Sequence, residues 1–128
     1  MELLEKVAAA GGQLLRVEVQ GASDGAVLAA LILTFDIGRV LVQADSATGL
    51  LLEQYLEPAD ARPVVNADEQ DPWWRVLGSP LSRVLDIDSG GGSVGVALQF
   101  RQDGDNPRRI ALLARGDGLV VQLQKPDA

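Results

Sequence analysis

The sequence contains neither cysteine nor histidine, and aromatic residues make up only 4% of its 128 positions. Without cysteine there is no disulfide bond and no thiolate site, which fits a reducing compartment. Without histidine, the Ser-His-Asp and Cys-His catalytic mechanisms and the common imidazole metal sites are excluded. We therefore expect a protein that is not an enzyme and that holds no metal and no other cofactor.

Positive charge is also scarce. The chain has 11 Lys and Arg residues against 18 Asp and Glu, which gives a formal net charge of −7. Phosphate binding needs clustered basic side chains, so this balance argues against nucleic acids and anionic membranes as partners. It favours a basic protein partner, although an acidic surface also serves simply to keep a protein soluble. The sequence is also compatible with self-association into a homo-oligomer.

Long apolar segments are missing as well. The longest apolar run, residues 26–33, is far too short to cross a bilayer. Residues 1–12 carry two glutamates and no basic region before a long apolar run, so they do not predict a signal peptide. These features predict a cytoplasmic protein.

Apolar residues are nevertheless abundant. They make up 47% of the chain and are mostly aliphatic, and a chain of this length suits one domain with a core of its own. The stretches 14–55 and 81–124 follow the same order of features: Arg-Val, a polar turn with glycine, an apolar run ending in Phe, an Arg-led apolar run, a glycine turn and a last apolar run. The matched pairs are Arg16 with Arg83, Phe35 with Phe100, Arg39 with Arg109 and Gly49 with Gly118. We interpret them as two copies of one four-strand unit.

The local patterns predict a mainly β fold in a single domain, residues 1–128. Consecutive strands with short turns favour antiparallel meanders, so we expect about eight antiparallel strands in two tandem four-strand meanders, forming a sandwich or a barrel. Residues 2–10 predict a short helix ended by two glycines. Residues 27–35 are apolar enough for a central strand covered on both faces, with a helix as the alternative.

The connector between the copies, residues 56–80, differs in composition. It is rich in proline and carboxylates, and Asp71-Pro72 is typical of a helix start, so one helical turn is expected at residues 73–77. Both tryptophans, Trp73 and Trp74, lie on this turn. Adjacent residues on a helical turn point about 100° apart, so we expect one of them to be buried and the other partly exposed.

The pattern Trp74, Leu77 and Gly78 resembles the W-x-x-L-G feature of small acidic bacterial proteins of unknown function, some of which resemble immunity proteins of toxin systems. The resemblance implies a non-enzymatic protein that binds and blocks a toxin, often a basic nuclease. It implies no catalytic residues.

These observations lead to three functional hypotheses. The first is a non-enzymatic module that binds a basic protein, since tryptophan ringed by carboxylates suits such an interface. Its candidate residues are Asp60, Asp68, Glu69, Asp71, Trp73 and Trp74. The alternative is a small-molecule-binding β domain with a pocket between the halves or in a barrel mouth. The third is an enzyme using Asp86 and Asp88, which lie at i and i+2 on one strand face and precede a Gly-rich turn.

Overall fold

A computed structural model describes residues 2–21, 28–45, 51–57, 64–69, 73–89, 93–100, 108–115 and 118–124. Within these ranges the chain is mainly β, as predicted, with antiparallel pairing throughout. Its elements are helix α1 (Glu2–Ala10), strands β1 (Leu14–Gly21), β2 (Leu28–Phe35), β3 (Gly38–Ala44), β4 (Leu51–Leu56), β5 (Val65–Asn66), a 3₁₀ turn (Trp73–Arg75), and strands β6 (Leu81–Ser89), β7 (Ser93–Phe100), β8 (Arg108–Arg115) and β9 (Gly118–Gln124).

The two copies have the same strand pairing. Strands β1 to β4 form one meander and β6 to β9 the other, each strand pairing with the next along the chain. Leu14 pairs with Phe35, the equivalent Leu81 pairs with Phe100, and in both copies the register shifts just after the leucine. The prediction of matched pairing is therefore confirmed. Gly49, matched above with Gly118, lies outside the described residues.

The meanders join into one curled sheet rather than two separate sheets. The link is a pair between Leu28 of β2 and Leu119 of β9. Residues 28–35 therefore form a central strand, and the helical alternative for this stretch is wrong. Strand β5, in the connector, was not predicted; it pairs with the outer edge of β1.

The starts of β1 and β6 meet in a short antiparallel bridge. The N–H of Leu14 donates to the carbonyl of Ser79 at 3.1 Å, and the N–H of Leu81 donates to the carbonyl of Gly12 at 2.9 Å. Gly12 and Ser79 are equivalent positions in the two copies, as are Leu14 and Leu81. The two bonds are thus the same contact made in both directions, which places a local two-fold axis at the bridge.

A glycine with positive φ precedes each copy. Gly11, after α1, has φ of 68°, and the equivalent Gly78, after the 3₁₀ turn, has φ of 82°. Residues with a side chain rarely adopt this conformation, which is typical of the residue that ends a helix. Each copy therefore consists of a helical segment, a glycine stop and a meander.

Helix α1 lies against β4 and β6, the last strand of the first meander and the first strand of the second. The carboxylate of Glu53 in β4 accepts hydrogen bonds from the N–H groups of Leu3 at 2.7 Å and Leu4 at 3.1 Å. The first backbone N–H groups of a helix have no partner within the helix, and a negative charge is favourable at that end. Glu53 thus fixes α1 to the sheet.

The main core is shared by the two meanders. Phe35 and Phe100 are 2% and 0% exposed, so both of these matched residues are buried in this core. They pack with aliphatic residues from both copies, chiefly Leu14, Leu31, Leu33, Val40, Val42, Leu81, Val96, Leu98, Ile110, Leu112 and Leu119. The equivalent strands of each copy therefore contribute equivalent side chains to one apolar interior.

The outer face of each meander, defined as the side away from this shared core, differs between the copies. In the first meander Ala30, Ile32, Leu41 and Leu56 form a second buried cluster with Val64 of the connector packed against it. Strand β2 is therefore covered on both faces, as predicted. The register places smaller residues at the matching positions of β7 and β8 in the second meander: Gly95, Ala97 and Ala111.

In the described part of the chain, no helix has both the length and the apolar character required to span a membrane.

Candidate functional site

The two tryptophans have opposite environments. Trp73 is 3% exposed and belongs to the main core, whereas Trp74 is 53% exposed. Successive side chains on a 3₁₀ turn point in directions about 120° apart, so burying one ring in the core directs its neighbour toward solvent. The prediction of one buried and one exposed tryptophan is confirmed.

The turn that presents Trp74 is well anchored. The carbonyl of Trp73 accepts hydrogen bonds from the N–H groups of Val76 at 3.0 Å and Leu77 at 3.2 Å. The N–H of Gly78 donates to the carbonyl of Leu14 in β1 at 2.7 Å. The backbone that carries Trp74 is therefore held to β1 by this hydrogen bond and to the main core by the buried Trp73.

Arg75 stacks on Trp74. Its guanidinium carbon lies 4.5 Å from the centroid of the indole ring, within the range of a cation–π contact. Sequence reasoning emphasised the carboxylates near the tryptophans and missed this arginine. An arginine directly after an exposed aromatic residue is the signal that could have identified it.

Asp68 has a structural contact at the edge of the sheet. Its carboxylate accepts a hydrogen bond from the N–H of Val17 in β1 at 2.6 Å, and the carbonyl of Val17 accepts one from the N–H of Ala67 at 2.8 Å. The N–H of Asp68 in turn donates to the side-chain oxygen of Asn66 at 3.0 Å. The carboxylate thus takes the place of a strand carbonyl and ends the β5–β1 ladder.

The structure describes only one of the other three acidic candidates, Glu69. Glu69 is exposed, next to Asp68 in the chain. Asp60 and Asp71 lie outside the described residues. The structure therefore describes Trp73, Trp74, Asp68 and Glu69 of the six candidates, and of these Trp74 and Glu69 are exposed.

Asp68 and Glu69 form a matched pair for testing these roles. We expect Asp68→Ala to lower the free energy of unfolding by about 1–2 kcal/mol, because it leaves the N–H of Val17 without its acceptor. Glu69→Ala should change it by less than about 0.5 kcal/mol, as is usual for an exposed position. Urea denaturation of both variants measures the difference. Equal stabilities would show that the bond to Val17 contributes nothing.

The structure describes the side chain of one member of the candidate catalytic pair. Asp86 is exposed on β6, and the side chain of Asp88 lies outside the described residues. Among the residues that the structure describes, no three carboxylates lie close enough together to hold a metal ion.

A groove of about 290 Å³ lies between the halves, where the end of α1 faces the start of β6. It is lined by Ala8, Ala9, Ala10, Gly11, Pro80, Leu81 and Ser82. Ser82 is the polar side chain among these, and its hydroxyl donates to the carbonyl of Gln99 at 3.0 Å. The side chains that line the groove therefore carry no charge, and the one hydroxyl among them is bonded within the chain.

Comparisons of the chain with protein-family models, with curated proteins and with solved structures gave no match. The resemblance based on Trp74, Leu77 and Gly78 therefore stays a prediction. In this structure Trp74 lies on the 3₁₀ turn, Leu77 follows the turn and packs against the main core, and Gly78 is the glycine stop.

Proposed function

We propose that this protein is a non-enzymatic binding module for a basic protein, and that Trp74 is the centre of its binding surface. The observation that supports this proposal best is the 53% exposure of Trp74 on a turn whose neighbouring ring is buried. Large aromatic side chains at a protein surface are the residues most enriched at interface hot spots. An immunity-like inhibitor that covers the working surface of its partner is the form of this function that we favour.

The rigidity of the turn strengthens the proposal. Ordering a mobile side chain on binding costs about 0.5–1.5 kcal/mol, and a side chain already fixed avoids part of that loss. The backbone of the turn is bonded to β1 through Gly78, and Arg75 stacks on the exposed ring. Trp74 is thus prepared to enter a pocket on a partner with little rearrangement.

The charge of the chain points to the kind of partner. A net charge of −7 creates a field that attracts a basic protein and raises the rate of association. Glu69 is the exposed carboxylate nearest to Trp74 along the described chain. Arg75 contributes a positive charge to the same turn, so we assign the attraction to the acidic surface as a whole and the specific contact to the indole.

Capture from an extract of the native host, followed by titration of the purified partner, tests the proposal. We expect the captured protein to be basic and Trp74→Ala to weaken binding about 30-fold or more, as is typical of a hot-spot tryptophan. Glu69→Lys and added salt should mainly slow association. Tyr55→Ala is the matched control, because Tyr55 is 51% exposed on β4.

Two results would contradict the proposal. One is a partner whose affinity is the same for the wild-type chain and for the Trp74→Ala variant. The other is equal loss of affinity in the Tyr55→Ala control, which would assign binding to exposed aromatic surface in general.

A further inference from the structure

Strand edges in this sheet are covered mostly by other parts of the same chain. The outer edge of β1 pairs with β5 and accepts a bond to the carboxylate of Asp68, and β9 pairs with β2 through Leu119 and Leu28. Helix α1 lies against β6, whose start is also bridged to the start of β1. An uncovered edge tends to pair with another chain, and natural proteins commonly protect theirs. These contacts provide that protection within the chain.

Strand β4 is an exception among the residues that the structure describes. It pairs with β3 from Leu51 to Leu56, and no other described residue forms a backbone hydrogen bond with it. The equivalent strand of the second copy, β9, has β8 on one side and β2 on the other. The N–H and C=O groups on the side of β4 away from β3 can therefore form the ladder of one additional strand.

Helix α1 contacts β4 from the side of the main core and leaves this edge unpaired. Its first N–H groups donate to the carboxylate of Glu53, and Glu53 stands opposite Val42, whose side chain belongs to that core. Within the described part of the chain, no backbone hydrogen bond joins α1 to β4. The helix thus occupies the carboxylate of Glu53, and the positive end of its dipole offsets the negative charge.

The side chains of β4 expose apolar surface on both faces of the strand. Leu52 is 46% exposed and lies on the outer face with Gln54, whereas Tyr55 is 51% exposed and lies on the same side as Glu53. The strand contains neither lysine nor proline, the residues that commonly protect an open edge, and Glu53 is its only charged residue. A chain with a net charge of −7 therefore has one edge that is apolar and nearly neutral.

We infer that β4 pairs antiparallel with β4 of a second copy of this chain, so that the two sheets join across a two-fold axis. A row of free backbone groups is matched by another strand, which satisfies all of them at once. The side chains favour an identical strand, because Leu52, Gln54 and Tyr55 offer no charge to a basic or an acidic segment and match a second β4 in polarity. This surface is separate from the one proposed around Trp74.

Sedimentation equilibrium of the full chain measures the association. We expect a weak dimer, because one strand of six residues buries less surface than a stable interface needs. The average mass should rise toward twice that of the monomer between about 10 μM and about 2 mM, with a Kd of about 0.1–1 mM. The chain is then monomeric at the low concentrations of the partner titration, and Tyr55→Ala remains a valid control there.

Lysine substitutions on β4 test where the two copies meet. Leu52→Lys and Tyr55→Lys each place a cationic side chain on the edge, and each should raise the Kd at least about tenfold. Both positions are exposed, so the fold should persist, and circular dichroism checks this. Val65→Lys is the matched control, because Val65 is 61% exposed on β5, and it should leave the Kd unchanged. Trp74→Ala should leave it unchanged too, so the two proposals can fail separately.

Hydrogen exchange of the backbone amides identifies the paired strand. The N–H groups of β4 that face away from β3 should exchange more slowly as the concentration rises from about 10 μM to about 2 mM, and those of β5 should not change. The inference is overturned if the chain stays monomeric throughout this range, if Leu52→Lys and Tyr55→Lys both dimerise as the wild type does, or if the protection appears on another strand. A monomeric chain whose β4 is protected only by the protein captured from the host would also overturn it, in favour of a strand from that partner.

Discussion

Replacing Phe100 by alanine is expected to lower the free energy of unfolding by about 3–5 kcal/mol, the usual cost of removing a buried phenylalanine. The side chain is 0% exposed and is one of the largest fully buried groups of the core. It stands opposite Leu81, where β6 begins and the second meander joins the first. Removing the ring leaves a cavity next to the hydrogen bonds that join β6 to β1. Because these bonds restrain the backbone of both copies, we expect little collapse of the surroundings into the cavity.

The equivalent Phe35→Ala substitution should have a similar cost, because Phe35 is 2% exposed and stands opposite Leu14 in the same way. Leu52→Ala is the control, since Leu52 is 46% exposed on β4 and its truncation should cost less than about 1 kcal/mol. Denaturant melts of the three variants measure these differences. A loss below about 1 kcal/mol for either phenylalanine would contradict the assignment of that ring to the core.

Any side chain at position 95 is expected to destabilise the fold severely. A β-carbon built on Gly95 would overlap the backbone carbonyl oxygen of Leu112 and would lie 2.9 Å from Cδ2 of Leu113. The leucine side chain can move, but the carbonyl belongs to the paired strand β8, so β7 and β8 would have to separate. We expect Gly95→Ala to cost about 3 kcal/mol or more, at the upper end for overpacking.

Gly21→Ala is the matched control for this substitution. Gly21 also lies in a strand, at the end of β1, and a β-carbon there would meet nothing within 4 Å. That variant should be neutral or slightly more stable, because alanine reduces the freedom of the unfolded chain. Thermal melts of the two variants give the comparison. A Gly95→Ala protein as stable as the Gly21→Ala protein would mean that β7 and β8 are farther apart than described here.

The architecture could be predicted from the sequence because the information for it is local and present twice. Alternation of apolar residues marks a strand, and short glycine turns allow neighbouring strands to pair. Arg16 matches Arg83 and Phe35 matches Phe100 in the same order along the chain. The strands assigned in one copy therefore supported the strands assigned in the other. At residues 27–35 the composition left a helix open, and the pairing of β2 with β1 and β3 decides for a strand.

Strand β5 could not be predicted, because its cause is not local. Residues Val65 and Asn66 are extended since the outer edge of β1 offers unpaired backbone groups, and that edge exists only in the folded sheet. The role of Asp68 follows from the same edge. A carboxylate in a loop has no sequence feature that distinguishes a surface charge from an acceptor for the N–H of Val17.

The same contrast between local features and features of the folded sheet applies to the side chains discussed above. The exposure of one tryptophan could be predicted from the geometry of a turn, since two adjacent rings cannot both enter the core. The register that places Arg83, Gln99 and Arg109 side by side could not be predicted, because these residues are close only through the pairing of β6, β7 and β8. The repeated arginines were visible in the sequence, but only the register shows that they share a face.

The reciprocal hydrogen bonds between Leu14 and Ser79 and between Leu81 and Gly12 have a consequence for the origin of the chain. A contact in which the same positions meet in both directions is an isologous contact, the kind that holds symmetric homodimers together. A chain of half this length could make both bonds by pairing with another copy of itself. Joining two such copies into one gene raises their effective concentration and frees each copy to diverge. The outer faces are where that divergence is visible: the first copy has Ile32 and Leu41 in a cluster with Val64 of the connector, and the second copy has Ala97 and Ala111 at the matching positions.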